Sequence, residues 1–109
     1  MHELGITQQI VEIVAEHANG SPVKRVVVEI GKLTAVMPDA VRFCFDICAE
    51  GTVAESAELQ IIETPGLAIC RTCGADMELE HPFVRCDCGS TELDWVAGEE
   101  LRILEMEVA

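Results

Sequence analysis

The sequence has no apolar run approaching the roughly 20 residues that a membrane-spanning helix needs. Its N-terminus also lacks a basic stretch followed by an apolar one, so no secretory signal peptide is expected. Basic residues are scarce, because 7 Lys and Arg stand against 20 Asp and Glu, for a formal net charge of −13. A surface with that charge repels the phosphates of nucleic acids. We therefore expect a cytoplasmic protein whose partners are neither membranes nor nucleic acids.

The sequence also lacks the motifs of common catalytic centres. It contains no Ser/His/Asp arrangement, no P-loop and no glycine-rich phosphate cradle. The excess of carboxylates would suit a cationic partner or a metal ion, but we expect most of them only to keep the protein in solution. These absences favour a protein that is not an enzyme.

The hydrophobic pattern predicts an α+β fold of two helices and three strands around a cysteine-rich insert. Residues 4–18 have the period of an amphipathic helix, and residues 38–51 predict a second one that begins at Pro38. Strands are predicted at three places, over residues 23–30, 57–63 and 100–108. The composition changes over residues 67–96, which show little periodic apolar pattern. We therefore assign residues 1–66 and 97–109 to one domain and residues 67–96 to a second.

Four of the six cysteines lie in the insert, in the segments "CRTCG" and "CDCG". Disulfides are disfavoured in a chain without a secretory signal, so metal ligation is the better interpretation. Each segment can form a knuckle, since the glycine after it tolerates a positive φ. Four thiolates match tetrahedral zinc in a structural site, which predicts a small zinc-knuckle domain. The predicted ligands are Cys70, Cys73, Cys86 and Cys88.

Alternatives to this ligand set remain open. The second segment is Cys-x-Cys, one residue shorter than the first, and His81 could replace a sulfur, although an exposed turn residue is the simpler interpretation. Iron would also fit four sulfurs and would make an electron carrier. Cys44 and Cys48 are four residues apart on the second predicted helix, and we interpret them as buried apolar residues.

The first residues, "MHE", predict a second and different metal site. A residue as large as His2 should block removal of Met1, which leaves a free α-amine next to the imidazole. The amine, the His2 amide and the His2 ring can form two fused chelate rings in one plane, which suits Ni(II) or Cu(II). A fourth ligand would come from Glu3, Asp39 or His81. The simpler alternative is that Glu3 only favours the N-terminus of a helix.

Several segments together resemble the HypA family of nickel-incorporation chaperones for [NiFe]-hydrogenase maturation. They are the start "MHELGITQQIVEIVAEHA", the middle segment "VVVEIGKLTAVMPDAVRFCFDICAEGT", the first knuckle "CRTCG" and the end "CGSTELDWVAGEELRILEMEV". The resemblance covers essentially the whole chain. The chain departs from the family pattern at "CDC", where the family has Cys-x₂-Cys.

The resemblance implies a nickel-binding domain of helices and a three-stranded sheet, with an inserted zinc domain. It implies that His2 is a nickel ligand and that Glu3 supports the site, next to the terminal residue Met1. It also implies structural Zn(II) as a cofactor and Ni(II) as transiently bound cargo. The implied partners are an accessory nickel-handling GTPase and the hydrogenase large subunit, and some members of the family also serve urease.

Two classes of function are therefore expected. The first is a metallochaperone that delivers nickel, and the alternative is a zinc-ribbon interaction module whose N-terminus is inert. An iron electron carrier is a third and more distant alternative. A nickel titration with and without His2 separates the first two, and the colour of the purified protein identifies iron.

Overall fold

The computed structural model of the protein describes residues 2–109. Helix α1 (His2–Ala18) is followed by strand β1 (Val23–Gly31), a short 3-10 helix (Lys32–Thr34) and helix α2 (Pro38–Ala49). Five strands complete the chain: β2 (Glu58–Thr64), β3 (Gly66–Cys70), β4 (Asp76–Leu79), β5 (Leu93–Ala97) and β6 (Leu101–Val108). No helix within these residues is long and apolar enough to cross a lipid bilayer.

The chain divides into two compact units. The first comprises the chain up to Val28, Val36–Ile62 and Arg102–Ala109. The second comprises Glu29–Ala35 and Glu63–Leu101. No pattern in the sequence indicated that residues 29–35, at the end of β1 and just after it, would group with the cysteine-bearing segment.

The first unit contains both helices and the strand order β2-β1-β6. Pro38 begins α2 in the helix's first turn, where its missing N–H has no intrahelical acceptor to lose. The two helices pack against each other, and Val26 and Val28 of β1 are completely buried. On α1 the buried positions recur at helical spacing, while Ile13 is 46% exposed. The predicted helices and three strands are confirmed, and the fold class is α+β.

The second unit contains an antiparallel sheet in the order β4-β3-β5. Its buried core is small, consisting of Leu33, Ala68 and Leu79, and three half-buried apolar residues pack against it: Met77, Val84 and Leu93. Residues 31–33 join this unit through two backbone hydrogen bonds, from Gly31 N–H to Glu100 O and from Leu33 N–H to Gly98 O. The cysteine-rich segment is therefore a sheet with little apolar core, and its three strands were not predicted.

Candidate metal centres

The first knuckle is a tight turn at the end of β3. Cys70 is the last residue of that strand, and its N–H donates to Ala75 O at 2.9 Å. Gly74 N–H donates back to Cys70 O, also at 2.9 Å, with Gly74 at a φ of 76°. That backbone conformation strains any residue with a Cβ, which explains the glycine. The turn directs the sulfurs of Cys70 and Cys73 toward the second knuckle.

The second knuckle reaches the same geometry with one residue fewer. Cys86 N–H donates to Ser90 O at 3.0 Å, and Gly89 N–H donates to Cys86 O at 2.8 Å. Gly89 has a φ of 93°, again in the region that favours glycine. The Cys-x-Cys segment thus turns within a closed loop and aims both Cys86 and Cys88 at the first knuckle.

The four sulfurs form a compact cluster. Cys70 Sγ lies 3.7 Å from Cys88 Sγ, and Cys73 Sγ lies 3.6 Å from Cys86 Sγ. All four sulfurs lie within 4.8 Å of one another. A tetrahedron of thiolates about 2.3 Å from a central zinc ion has sulfurs about 3.8 Å apart. The spacing of the four cysteines therefore fits a tetrahedral metal ion.

A hydrogen bond between side chains connects the two knuckles. Thr72 Oγ1 donates to Ser90 Oγ at 2.9 Å, and Ser90 Oγ in turn accepts from Glu92 N–H at 3.0 Å. Arg71 N–H donates to Glu92 O at 2.9 Å in the same region. Such outer contacts hold metal ligands in position before the ion arrives. Sequence reasoning missed Thr72 and Ser90, because only the fold shows that these residues face each other.

The local environment gives two of the cluster thiols very different pKa values. The backbone N–H of Cys73 donates to Cys70 Sγ and favours its thiolate, and Thr72 N–H adds to this effect. Although burial acts in the opposite direction, the pKa of Cys70 is lowered to about 6. The backbone N–H of Cys88 favours the Cys86 thiolate, but burial and the neighbouring sulfurs outweigh it and raise the pKa of Cys86 to about 12. The metal-free cluster therefore holds some thiols protonated, and a cation would release those protons on binding.

The N-terminal candidate lies at the start of α1. His2 is 60% exposed, and its Nε2 lies 3.2 Å from Glu3 Oε2. The Glu3 side chain is only 14% exposed and accepts a hydrogen bond from Met37 N–H at 3.3 Å. Its own backbone N–H, then Met37 N–H and His2, lower the pKa of the Glu3 carboxyl. Met1, the other predicted nickel ligand, lies outside the described residues.

The contact with Glu3 influences which ring nitrogen of His2 has a lone pair available for a metal ion. A carboxylate 3.2 Å from Nε2 favours the tautomer whose proton is on Nε2. Nδ1 then carries the lone pair, and Nδ1 is the atom that closes a chelate ring with the His2 amide. That amide belongs to the first turn of a helix, where N–H groups have no intrahelical acceptor. Binding a metal there would not break a helical hydrogen bond.

The remaining candidates are not part of the sulfur cluster. His81 Nδ1 accepts a hydrogen bond from Phe83 N–H at 3.2 Å within an exposed turn. Asp39 is in the first turn of α2. Cys44 is buried on α2, and Cys48, half-buried, has its pKa raised by burial and then by Cys44. Buried thiols of this kind pack as small apolar groups.

Comparison with known proteins shows that the chain matches one protein family over nearly its whole length. A family model described as "Hydrogenase/urease nickel incorporation, metallochaperone, hypA" matches residues 1–108. A curated hydrogenase maturation factor HypA from Trichormus variabilis is 64% identical over 108 residues, covering 99% of this chain and 96% of the relative. A relative of the same name from Geobacter sulfurreducens is 46% identical over 109 residues, covering 99% of each chain.

Solved structures agree with the fold. The solution structure of the Ni metallochaperone HypA from Helicobacter pylori matches with a TM-score of 0.66 at 25% identity, covering 97% of this chain and 96% of that one. A second solution structure of a HypA protein matches with a TM-score of 0.68 at 26% identity, covering 100% and 97%. From the family match over nearly its whole length, together with the close curated relatives, the chain belongs to the HypA family of hydrogenase maturation metallochaperones.

Proposed function

We propose that this chain binds Ni(II) at its N-terminus and delivers it during maturation of [NiFe]-hydrogenase. The observation that carries the proposal is the environment of His2, in a chain of the nickel metallochaperone family. Its ring is exposed, and the Glu3 carboxylate 3.2 Å from Nε2 favours the tautomer in which Nδ1 has the lone pair needed to bind the ion. The ligands are the Met1 amine, the His2 amide and His2 Nδ1, with the Glu3 carboxylate orienting the ring.

The other half of the proposal is a structural zinc ion held by Cys70, Cys73, Cys86 and Cys88. The sulfur spacing of 3.6 Å and 3.7 Å across the cluster supports it. Four thiolates leave no open coordination position, so the ion would stabilise the second unit and take no part in nickel transfer. The nickel site would lie in the domain of residues 1–66 and 97–109, and the zinc site in residues 67–96.

An open nitrogen site and a closed sulfur site suit two different tasks. The N-terminal site has an exposed edge and needs deprotonated nitrogens, so it should exchange its ion readily. That lability suits transient cargo. We propose that delivery takes place in the cytoplasm with an accessory nickel-handling GTPase and the hydrogenase large subunit, and that the chain is not an enzyme. Urease is the second candidate client, because the matching family is one of nickel incorporation into hydrogenase or urease.

A nickel titration by calorimetry tests the proposal on the zinc-loaded protein. We expect His2→Ala to weaken Ni(II) binding by at least about 100-fold, because it breaks one of two fused chelate rings. An extra residue before Met1 removes the free amine and should cost nearly as much. His17→Ala is the matched control, since His17 is exposed on the same helix and its Nδ1 lies 2.9 Å from Ile13 O.

Binding should also weaken as the pH falls, because protons compete with the metal ion for the chelating nitrogens. If the extended protein binds nickel as tightly as the native one, the amine is not a ligand. If His2→Ala binds nickel unchanged, the nickel proposal is wrong, and a zinc-ribbon interaction module becomes the better interpretation. Zinc content should be the same in all three variants.

A further inference from the structure

The sheet of the second unit has an exposed apolar stripe on one face. Along β3, Gly66, Ala68 and Cys70 are buried, whereas Leu67 and Ile69 are 43% and 41% exposed. Val96 of β5 is 63% exposed. Because alternate side chains of a strand point to opposite faces, Leu67 and Ile69 lie on the face away from the small core.

Carboxylates border this stripe. Strand β4 pairs with β3 so that Leu67 lies opposite Glu78 and Ile69 lies opposite Asp76. Directly opposite residues of antiparallel strands share a face and have Cβ atoms about 5 Å apart. Leu67, Ile69, Val96 and these two acids line a groove of about 450 Å³. The groove is therefore an apolar floor with a row of negative charge along one side.

Two basic residues of this unit, Lys32 and Arg71, are paired with acids other than Asp76 and Glu78. Lys32 Nζ donates to Glu80 Oε2 at 2.6 Å, and Glu80 is the main reason why the pKa of Lys32 is raised, with Glu63 and Glu78 contributing less. Arg71 Nε donates to Asp94 Oδ1 at 2.6 Å. No Lys or Arg is among the described residues that line the groove. Among the described residues, Asp76 and Glu78 form no direct ion pair, so their charge is available to a basic partner, although Lys32 acts on Glu78 at longer range.

We propose that this face binds a basic amphipathic helix of a partner protein. Leu67 and Ile69 are two residues apart on a strand, a spacing of about 6.8 Å, which is close to the rise of about 6 Å between residues i and i+4 of a helix. A helix along β3 would place two apolar side chains over Leu67 and Ile69. Lys or Arg on its flank would then reach Asp76 and Glu78.

The charge argues against a second copy of this chain as the occupant. A two-fold dimer through this face would bring like surface against like surface, with Asp76 and Glu78 on both sides. The whole chain also carries a net charge of −13. Repulsion between such surfaces opposes self-association and favours a cationic partner. The site uses none of the proposed nickel or zinc ligands, so it adds a docking surface to the proposed function.

The test uses two synthetic peptides of about 15 residues, one of Leu and Lys and one of Leu and Glu, both with apolar residues at helical period. Binding to the zinc-loaded full chain is measured by fluorescence anisotropy of a labelled peptide. We expect the Leu/Lys peptide to bind, and the double change Asp76→Lys with Glu78→Lys to weaken it by at least about tenfold. Ile69→Asn should weaken it by about fivefold or more.

The matched control reverses two exposed acids on α1, Glu12→Lys with Glu16→Lys, and should change the affinity by less than about threefold. Zinc content and the emission of Trp95, the single tryptophan, check that each variant is folded. The Leu/Glu peptide should bind the Asp76/Glu78 variant better than the native chain. Amide shifts of the native protein on adding the Leu/Lys peptide should be confined to residues 66–79 and 93–97.

Three outcomes would overturn the proposal. Equal weakening by the two charge reversals would mean that the peptide responds to overall charge and not to this groove. Equal binding of the two peptides to the native chain would mean that Asp76 and Glu78 do not select a basic partner. A native dimer that Ile69→Asn converts to a monomer would make a second copy of this chain the occupant.

Discussion

Among the cluster cysteines, Cys70 has a thiol whose pKa is lowered by backbone N–H groups of its own knuckle. Donation from Cys73 N–H, assisted by Thr72 N–H, lowers its pKa to about 6, so this thiol is ionised at neutral pH. Cys86, with a pKa raised to about 12, stays protonated until a cation displaces its proton. One half of the proposed site therefore offers a ready thiolate on which binding can start.

The pH dependence of zinc affinity should show this difference. Above about pH 6 Cys70 has already lost its proton, whereas below that pH zinc must displace it. We expect the apparent affinity to fall by about one further factor of ten per pH unit once the pH drops below about 6. The apparent zinc affinity is measured by competition with a chromophoric chelator between pH 5 and pH 8. If the logarithm of the zinc affinity changed with pH at a constant slope from pH 5 to pH 8, the lowered pKa of Cys70 would be contradicted.

His81 should be dispensable for zinc binding. Its Nδ1 accepts a hydrogen bond from Phe83 N–H at 3.2 Å within its own turn, and the four clustered sulfurs would complete a tetrahedral shell without it. We expect His81→Ala to retain one zinc per chain and Cys88→Ala to lose zinc or bind it at least about 100-fold more weakly. The zinc content of the two variants is measured by metal analysis after dialysis against a chelator. The reverse result would mean that the short second knuckle supplies a single sulfur.

At the scale of elements, the start of β3 depends on the absence of a side chain at Gly66. A Cβ there would lie 2.7 Å from Leu33 Cδ2 and 2.9 Å from Leu79 O. Leu33 and Leu79 are two of the three buried residues of that unit's core, so neither can easily move aside. The glycine allows the strand to approach this core closely.

Gly66→Ala should therefore destabilise the second unit by about 1–3 kcal/mol, the usual cost of overpacking. Denaturant unfolding of the zinc-loaded protein, followed through Trp95 emission, measures the change. Gly5→Ala is the matched control, because a Cβ at Gly5 meets nothing within 4 Å and lies inside α1. Because Gly5 lies in the first unit, that substitution should leave the Trp95 transition nearly unchanged, although it favours the helix by about 0.5–1 kcal/mol. Equal effects of the two changes would refute the packing argument.

At the scale of the whole molecule, the two units differ in what holds them together. Most of the buried apolar residues belong to the first unit, whereas the hydrophobic cluster of the second contains three buried residues, and two of its four clustered cysteines are exposed. Small domains with so little apolar core commonly depend on a structural metal. The stability of the second unit should therefore depend on zinc, and that of the first should not.

Cys73→Ser should unfold residues 67–96 and leave most amide protection of α1 and α2 intact. Hydrogen exchange followed by mass spectrometry resolves the two regions, and chelation of zinc from the native chain should give the same pattern. Cys48→Ala is the control, since Cys48 is half-buried on α2 and outside the cluster. Unchanged protection of residues 67–96 in Cys73→Ser would show that the metal is not structural.

The sequence by itself determined what depends on local patterns. The helical period, Pro38 and the hydrophobic pattern of three strand segments were enough to predict both helices and three strands, because each signal lies within a single element. The four cysteines and the "MHE" start were likewise visible as short motifs. Their chemistry follows from residue type and spacing, which folding does not alter.

Only the tertiary structure decided which face of β3 is buried. The segment 66–70 is apolar on both faces, so no alternation could distinguish Ala68 from Leu67 or Ile69. Packing of Ala68 with Leu33 and Leu79 made the choice and left the other two exposed. The grouping of residues 29–35 with the second unit and the approach of the four sulfurs were decided in the same way. Pairing between distant segments fixes all three features, and its energy is not encoded in any single stretch of chain.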